Sequence, residues 1–249
     1  MAGHSQFANI KYRKGVQDVK RAKKFTKLIR EIIVAARVGL PDPEFNPRLR
    51  SAIAAARKEN LPKDRIESAI KSASGNAADD SYEEVTYEGY GPGGVAVIVH
   101  AVTNNRNRTA SELRYIFSKH SGKLGESGSV NFLFDRIGVI VYRAEAINDF
   151  NNFFNIALEL RARDIEDHVV DNGQTQEKLY HVICDVNDFG SIRDNLSQKF
   201  FDAETAMLSW KPKEIIKIQD LDLQVKIKNL ICTLEDNDDV QYVKGNFIF

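Results

Sequence analysis

An α+β fold is predicted for this chain, and three observations predict it. Residues 18–73 carry apolar side chains at helical spacing, in three runs punctuated by Gly and Pro. From Val85 onward, short β-branched runs alternate with further helical stretches. Between residues 137 and 210 the alternation reads β-α-β-β-α-β, the split βαβ or ferredoxin-like order.

Residues 1–16 show no clear period and read as a polar, basic arm. From about Asp18 to Val38 a helix is predicted, with Phe25, Leu28, Ile29, Ile32 and Ala36 in one stripe. Lys20, Lys23, Lys24, Lys27, Arg30 and Arg37 gather on the opposite side, and Gly39 and Pro41 end the run. Asn46-Pro47 supplies an N-cap and a proline at the first helical position for a second helix. Its inward face is Leu49, Ala52, Ile53 and Ala56. Pro62 opens a third, with Ile66, Ala69, Ile70 and Ala73 inward, and Gly75 closes it. Together these make a three-helix bundle, and Asn76 to Ser81 reads as a linker.

Val85-Thr86-Tyr87 then leads as a strand into the turn Gly91-Pro92-Gly93-Gly94, and Val95 to Val102 forms a second strand. Thr109 and Glu112 fit a capping box for a helix with Leu113, Ile116 and Phe117 inward. Gly122, Gly125 and Gly128 mark a turn-rich stretch, and Val130 to Phe134 reads as a strand. The β-α-β-β-α-β unit takes strands at 139–142, 165–170, 179–186 and 206–210, helices at 149–161 and 189–199, and a turn at Asn172-Gly173. A β-α-β tail follows, with strands at 215–218 and 240–243 around a helix near 220–235. That tail either completes a domain begun at residue 83, or stands as a small domain in series.

Composition bounds the function. The chain has 249 residues, 43% hydrophobic and 28% charged, which suits two or three globular domains. No apolar run is long enough for a membrane span, and the basic start lacks the apolar core of a signal peptide. Cys184 and Cys232 sit in apolar runs and read as buried thiols of a reducing compartment, so the cytoplasm is expected. Formal charge is zero, yet residues 1–75 hold 17 basic and 7 acidic side chains, leaving 18 and 28 for the rest from totals of 35 each. A cationic pole on a neutral protein points to a polyanionic partner, or to attraction between its own halves.

No catalytic or metal constellation is visible. The five histidines and two cysteines lack metal-ligand spacing, and neither a dinucleotide fingerprint nor a nucleophile elbow occurs. Gly91 to Gly94 lacks the lysine of a P-loop and reads as a tight turn. The expectation is no enzyme, no cofactor and no metal. The candidate phosphate contacts are Lys11, Arg13, Lys14, Lys20, Lys23, Lys24 and Lys27. Arg106 and Arg108, on a predicted loop at 103–109, form a second region whose Asn105 and Asn107 are candidate base contacts. Phe7 and Tyr12 in the arm are candidate base or ribosomal-surface contacts. Aromatics such as Phe132, Phe134, Phe200 and Phe201 read as core. The acidic run Glu235-Asp236-Asn237-Asp238-Asp239 lies where a helix C-terminus disfavours negative charge. A cation, a basic partner surface or simple solvation would each account for it.

Several blocks resemble the YebC/TACO1 family of probable transcriptional regulatory proteins. They are Met1 to Ser5, Ala8 to Lys11, Arg13-Lys14, Phe25-Thr26-Lys27, Asn46 to Arg50, Tyr87 to Gly94, Asn105 to Thr109, Gly128-Ser129-Val130, Leu234-Glu235-Asp236 and Asp238 to Gln241. The sequence departs from the family at Gln6-Phe7, where Lys-Trp is usual, and at Lys244-Gly245-Asn246, where Tyr-His-Asn is usual. The resemblance implies three domains: a basic bundle over 1–78, a discontinuous α/β domain of 79–136 with 211–249, and a ferredoxin-like domain over 137–210 inserted in it. It also implies a DNA-binding regulator of transcription. Alternatives are a ribosome-associated translational activator on rRNA or tRNA, and a protein-interaction scaffold. Neither a membrane nor a small-molecule substrate is expected.

Overall fold

The first helix is longer than its apolar pattern. In this computed structural model the backbone is described for residues 4–73, 82–171 and 176–249, with side chains throughout except at 4–18, 20 and 171. Helix α1 runs His4–Val38 without a break, so the predicted arm is largely helical. Its opening residues include Gln, Ala, Lys and Arg, which favour helix intrinsically. They carry no regular apolar stripe, and a helix without a stripe is invisible to periodicity. The linker at 76–81, with Gly75, and the Asn172-Gly173 turn lie outside the described residues.

Helices α2 (Pro47–Lys58) and α3 (Lys63–Ala73) complete the bundle. The Asn46 side chain accepts from Leu49 N at 3.0 Å, and its amide donates to Ala35 O and Leu40 O. One residue thereby caps α2 and closes the end of α1. Ile32, Ala36, Leu49, Ile53, Ala56 and Ile66 form the buried centre, and Phe25, Leu28 and Ile29 pack against it.

Strand β1 (Glu83–Tyr90) pairs antiparallel with β2 (Ala96–Thr103) across a 3-10 turn at Pro92–Gly94. Gly93 there has φ +71°, and a Cβ would lie 2.8 Å from Leu223, so a larger residue would be both strained and crowded. Helix α4 spans Arg106–Lys119. Its N-cap is Asn105, which accepts from Arg108 N, rather than Thr109. Thr109 is buried inside the first turns, because β2 ends at Thr103 and the first available cap after it wins. The Gly-rich stretch contains a short strand, β3 (Lys123–Leu124), on the edge of β1. The predicted strand at 130–134 is instead a 3-10 turn, Asn131–Leu133. It is followed at Phe134 by β4 (Phe134–Arg143).

Helix α5 (Phe150–Glu159), strands β5 (Asp164–Asp171) and β6 (Gln176–Asp185), helix α6 (Phe189–Lys199) and strand β7 (Thr205–Pro212) follow. Their sheet has the order β5-β6-β4-β7, antiparallel throughout, and Phe153, Ala157, Ile192 and Leu196 bury one face of it. Strand β8 (Ile216–Lys217), helix α7 (Leu221–Glu235), β9 (Val240–Gly245) and β10 (Phe247–Ile248) end the chain. β9 pairs with β2, giving the order β3-β1-β2-β9, while β10 pairs with β8. Helices α4 and α7 cover that sheet through Leu113, Phe117, Ile227 and Leu230. Cys184 is buried, but Cys232 is exposed, since it falls off the Ile227, Leu230, Leu234 stripe. Phe134 is buried and Phe200 packs beside Phe153, whereas Phe132 and Phe201 are exposed, contrary to the core expectation.

A polar chain ties the bundle to the first sheet. Arg48 of α2 contacts Glu31 of α1 at 2.8 Å and Glu84 of β1 at 2.6 Å. His100 lies 3.4 Å from Glu84 and stacks on Tyr242, whose hydroxyl donates to Leu208 O at 3.0 Å. The hydrogen bond from His100 and those from Arg48 outweigh burial and hold the Glu84 carboxyl at about 2. A carboxyl whose pKa drops on folding stabilises the fold above its unfolded value, and that gain disappears as pH falls toward the folded value. Glu84→Gln is therefore expected to cost about 1–2 kcal/mol at pH 7, after solvent screening of this partly exposed group. Urea unfolding at pH 7, 4 and 3 should show the gap to wild type closing below pH 4.5. A gap at pH 3 as wide as that at pH 7 would refute the ionised carboxylate as its source.

Candidate nucleic-acid interface

Lys23, Lys27 and Arg30 fall at i, i+4 and i+7 along α1, so they share one flank of the helix. That flank meets the C-terminus of α7. The Lys23 ammonium donates to the Asp236 carboxylate at 2.7 Å and to its carbonyl at 3.0 Å. Lys27 donates to Glu235 O at 2.5 Å, and Arg30 donates to Asp238 O. Carbonyls at a helix end carry partial negative charge, and three cations from another helix answer it here. The acidic run thus has a basic partner surface inside its own molecule.

Asp239 is the centre of this contact and is 3% exposed. Arg30 reaches one carboxylate oxygen at 2.9 Å. The other oxygen receives Arg108 at 2.9 Å, Thr109 at 2.6 Å and Thr103 at 3.3 Å. Its backbone N–H donates to the Asn237 side chain, and its carbonyl accepts from Val102 N. Burial alone would raise its pKa, but the bonds from Thr109 and Arg108 and the charges of Arg30 and Arg108 hold it below the usual carboxylate range. Arg108 rises in turn, first through its bond to Asp239. Lys27 is pushed down by burial, which exceeds the attraction of Glu235, Asp238 and Asp236. Lys23, Arg30, Arg108, Glu112 and residues 236–239 line a polar cleft of about 340 Å³.

The predicted contacts divide into groups. Lys11, Arg13, Lys14 and Lys20 all lie on α1, as do Phe7 and Tyr12; their side chains are outside those described. Lys23, Lys27 and Arg108 converge on the turn at 235–239. Lys24 turns the other way, to Glu59 at 2.7 Å, with its side chain 58% exposed. Arg106 stands apart, 3.5 Å from Glu83 and mostly exposed. The segment 103–109 is the end of a strand, a cap and the first helical turn rather than an open loop. Asn105 spends its side chain on the cap, while Asn107 is exposed. Sequence reasoning missed Asp239, Thr103 and Thr109 as one knot, because their pairing spans up to 136 positions. Among the described residues, no group of His, Cys, Asp and Glu could hold a metal ion, and no helix is long and apolar enough to cross a membrane.

Comparison with known proteins bears on the whole length. A model of the TACO1/YebC protein N-terminal domain matches residues 5–76, and one of the TACO1/YebC second and third domain matches 82–247. The chain is 64% identical over 249 residues to a "probable transcriptional regulatory protein" of Ehrlichia canis (strain Jake), covering 100% of both. It is 63% identical over 247 residues to one of Anaplasma phagocytophilum (strain HZ), covering 99% of each. A crystal structure of a conserved hypothetical protein from Aquifex aeolicus superposes with a TM-score of 0.79 at 43% identity, over 92% of this chain and 90% of that one. Two domain models that together span nearly every residue, and relatives similar from end to end, place the chain in the TACO1/YebC family.

Proposed function

We propose that the protein is a non-enzymatic, nucleic-acid-binding regulator of gene expression that acts on DNA at transcription, in the cytoplasm. The observation that carries this reading is α1, a single 35-residue helix that brings Lys11, Arg13, Lys14 and Lys20 onto one element. Such a helix is about 50 Å long, and among the described residues its packed stripe begins at Phe25. The names of the relatives support the same reading. In this proposal residues 1–78 form the basic unit, 79–136 with 211–249 the α/β body, and 137–210 the inserted βαββαβ unit. Lys24 and Arg106 add exposed cations, and Lys23 and Lys27 trade Asp236 and Glu235 for phosphate when the ligand arrives. Phosphate contacts give affinity without sequence choice. The outer face of α3 mixes Lys63, Arg65 and Lys71 with Asp64 and Glu67, which suits backbone and shape recognition better than a groove-reading helix.

In-cell crosslinking followed by sequencing of both DNA and RNA tests the reading. Enrichment of promoter DNA is expected. Crosslinks confined to rRNA or tRNA would overturn the transcriptional role in favour of action on the ribosome.

A further inference from the structure

Helix α4 buries Thr109, Leu113, Ile116 and Phe117 and turns its other side to solvent. At the middle of that outer side Tyr115 is 67% exposed. A large aromatic on an outward face contributes little to the core, and packing does not account for it. In a helix the side chain leans over the residue four positions earlier, here Ser111, which is small and bonded to Asn107 O. The ring is largely in contact with solvent. The Lys119 ammonium sits 6.0 Å from the ring centroid, on the next turn.

The cations beside Tyr115 differ from those that line the cleft. Lys23, Arg30 and Arg108 are each paired with a carboxylate. Among the described residues, Arg114 and Lys119 have no carboxylate partner. Lys119 lies in the last turn, where the helix dipole alone would welcome it, but Arg114 is mid-helix and gains nothing from that source. Placement matters as well. Tyr115 follows Arg108, one of the residues that line the cleft, by seven residues on the same side of α4, about 10 Å along the axis.

We propose that this side of α4 is a contact surface for single-stranded nucleic acid, in which Tyr115 stacks an unpaired base and Arg114 and Lys119 hold the flanking phosphates. Stacking on an exposed ring needs a base free of its own stack, which selects single strands over duplex. The inference rests on the nucleic-acid reading above and extends it from the α1 helix to α4.

The test uses the full chain, a labelled 20-nucleotide strand as RNA and as DNA, and the same sequence as duplex. Tyr115→Ala should weaken binding to the single strand about tenfold and leave duplex binding unchanged. Tyr115→Phe should bind as wild type. The pair Arg114→Ala and Lys119→Ala should reduce the salt slope for the single strand by about 1–2. Because Tyr115 is exposed, the melting temperature of Tyr115→Ala should match wild type, which separates a loss of stacking from a loss of fold. The RNA and DNA arms show which strand is preferred. Single-strand binding by Tyr115→Ala at wild-type strength, with wild type binding duplex, would overturn this inference and leave the proposed function standing. Wild type that binds neither form would overturn both.

Discussion

Asp239→Ala is expected to cost about 3–5 kcal/mol of folding free energy, the largest effect of any single change proposed for this protein. The Asp239 side chain is 5% exposed and answers two guanidinium groups, Arg30 and Arg108, together with the Thr109 hydroxyl. Removing it leaves Arg30, whose side chain is only 12% exposed, facing Arg108 without a counter-charge. Replacing one partner of a buried pair costs far more than the pair itself is worth, because the survivor stays desolvated. Asp239→Asn should fall between, since it keeps an acceptor for Thr109 and loses the charge. Asp236→Ala removes a carboxylate that is 67% exposed, and should cost less than about 1 kcal/mol. Urea unfolding of the three variants gives the ranking. Equal losses for Asp236→Ala and Asp239→Ala would show that the knot contributes no more than a surface ion pair. Hydrogen exchange adds a local readout, with amides near Lys23 to Arg30 expected to exchange faster in Asp239→Ala.

The second large effect is on binding. Changing Lys11, Arg13, Lys14 and Lys20 together to alanine should lower nucleic-acid affinity about 100- to 1000-fold at low salt. It should also reduce the slope of log K against log salt by about 3–4, one unit for each phosphate no longer neutralised. Among the described residues the packed stripe begins at Phe25, beyond all four positions, and folding stability is expected to be unaffected. A companion variant with Lys20, Lys23, Lys24 and Lys27 changed to alanine separates two roles. Lys23 and Lys27 also neutralise the turn at 235–239, so this variant should lose binding and some stability together. An unchanged salt slope in the first variant would remove α1 as the main contact, whatever its charge.

Local chemistry was legible and distant pairing was not. Asn46-Pro47 announced the start of α2 because a cap and a proline act within one turn. The βαββαβ order was legible because each strand has a β-branched run and each helix its own stripe. Thr109 with Glu112 fitted a capping box, yet the cap is Asn105, and only the end of β2 at Thr103 decides between them. The first half of α1 lacked a stripe, so intrinsic propensity was its only signal. The basic flank of α1 was legible as charge, but its neutralisation was not. Lys23 meets Asp236 across 213 positions, and nothing near either residue announces the other. Tyr115 carried a readable signal that went unused, as the one aromatic opposite the inner stripe of α4.

The distance along the chain between α1 and its acid turn has a consequence for synthesis. A ribosome makes Lys23 213 positions before Asp236, and Lys27 208 positions before Glu235. Domains fold as they emerge, N-terminal first. For most of translation the bundle is therefore exposed with this flank un-neutralised, beside the largest polyanion in the cell. β2, a central strand of the first sheet, must likewise wait for β9. A nascent chain halted before residue 235 should cling to its ribosome in low salt and let go in high salt, whereas a chain extended past residue 239 carries its own competitor for these three cations. Emergence of residues 235–239 is thus expected to free this flank of α1 from the ribosome.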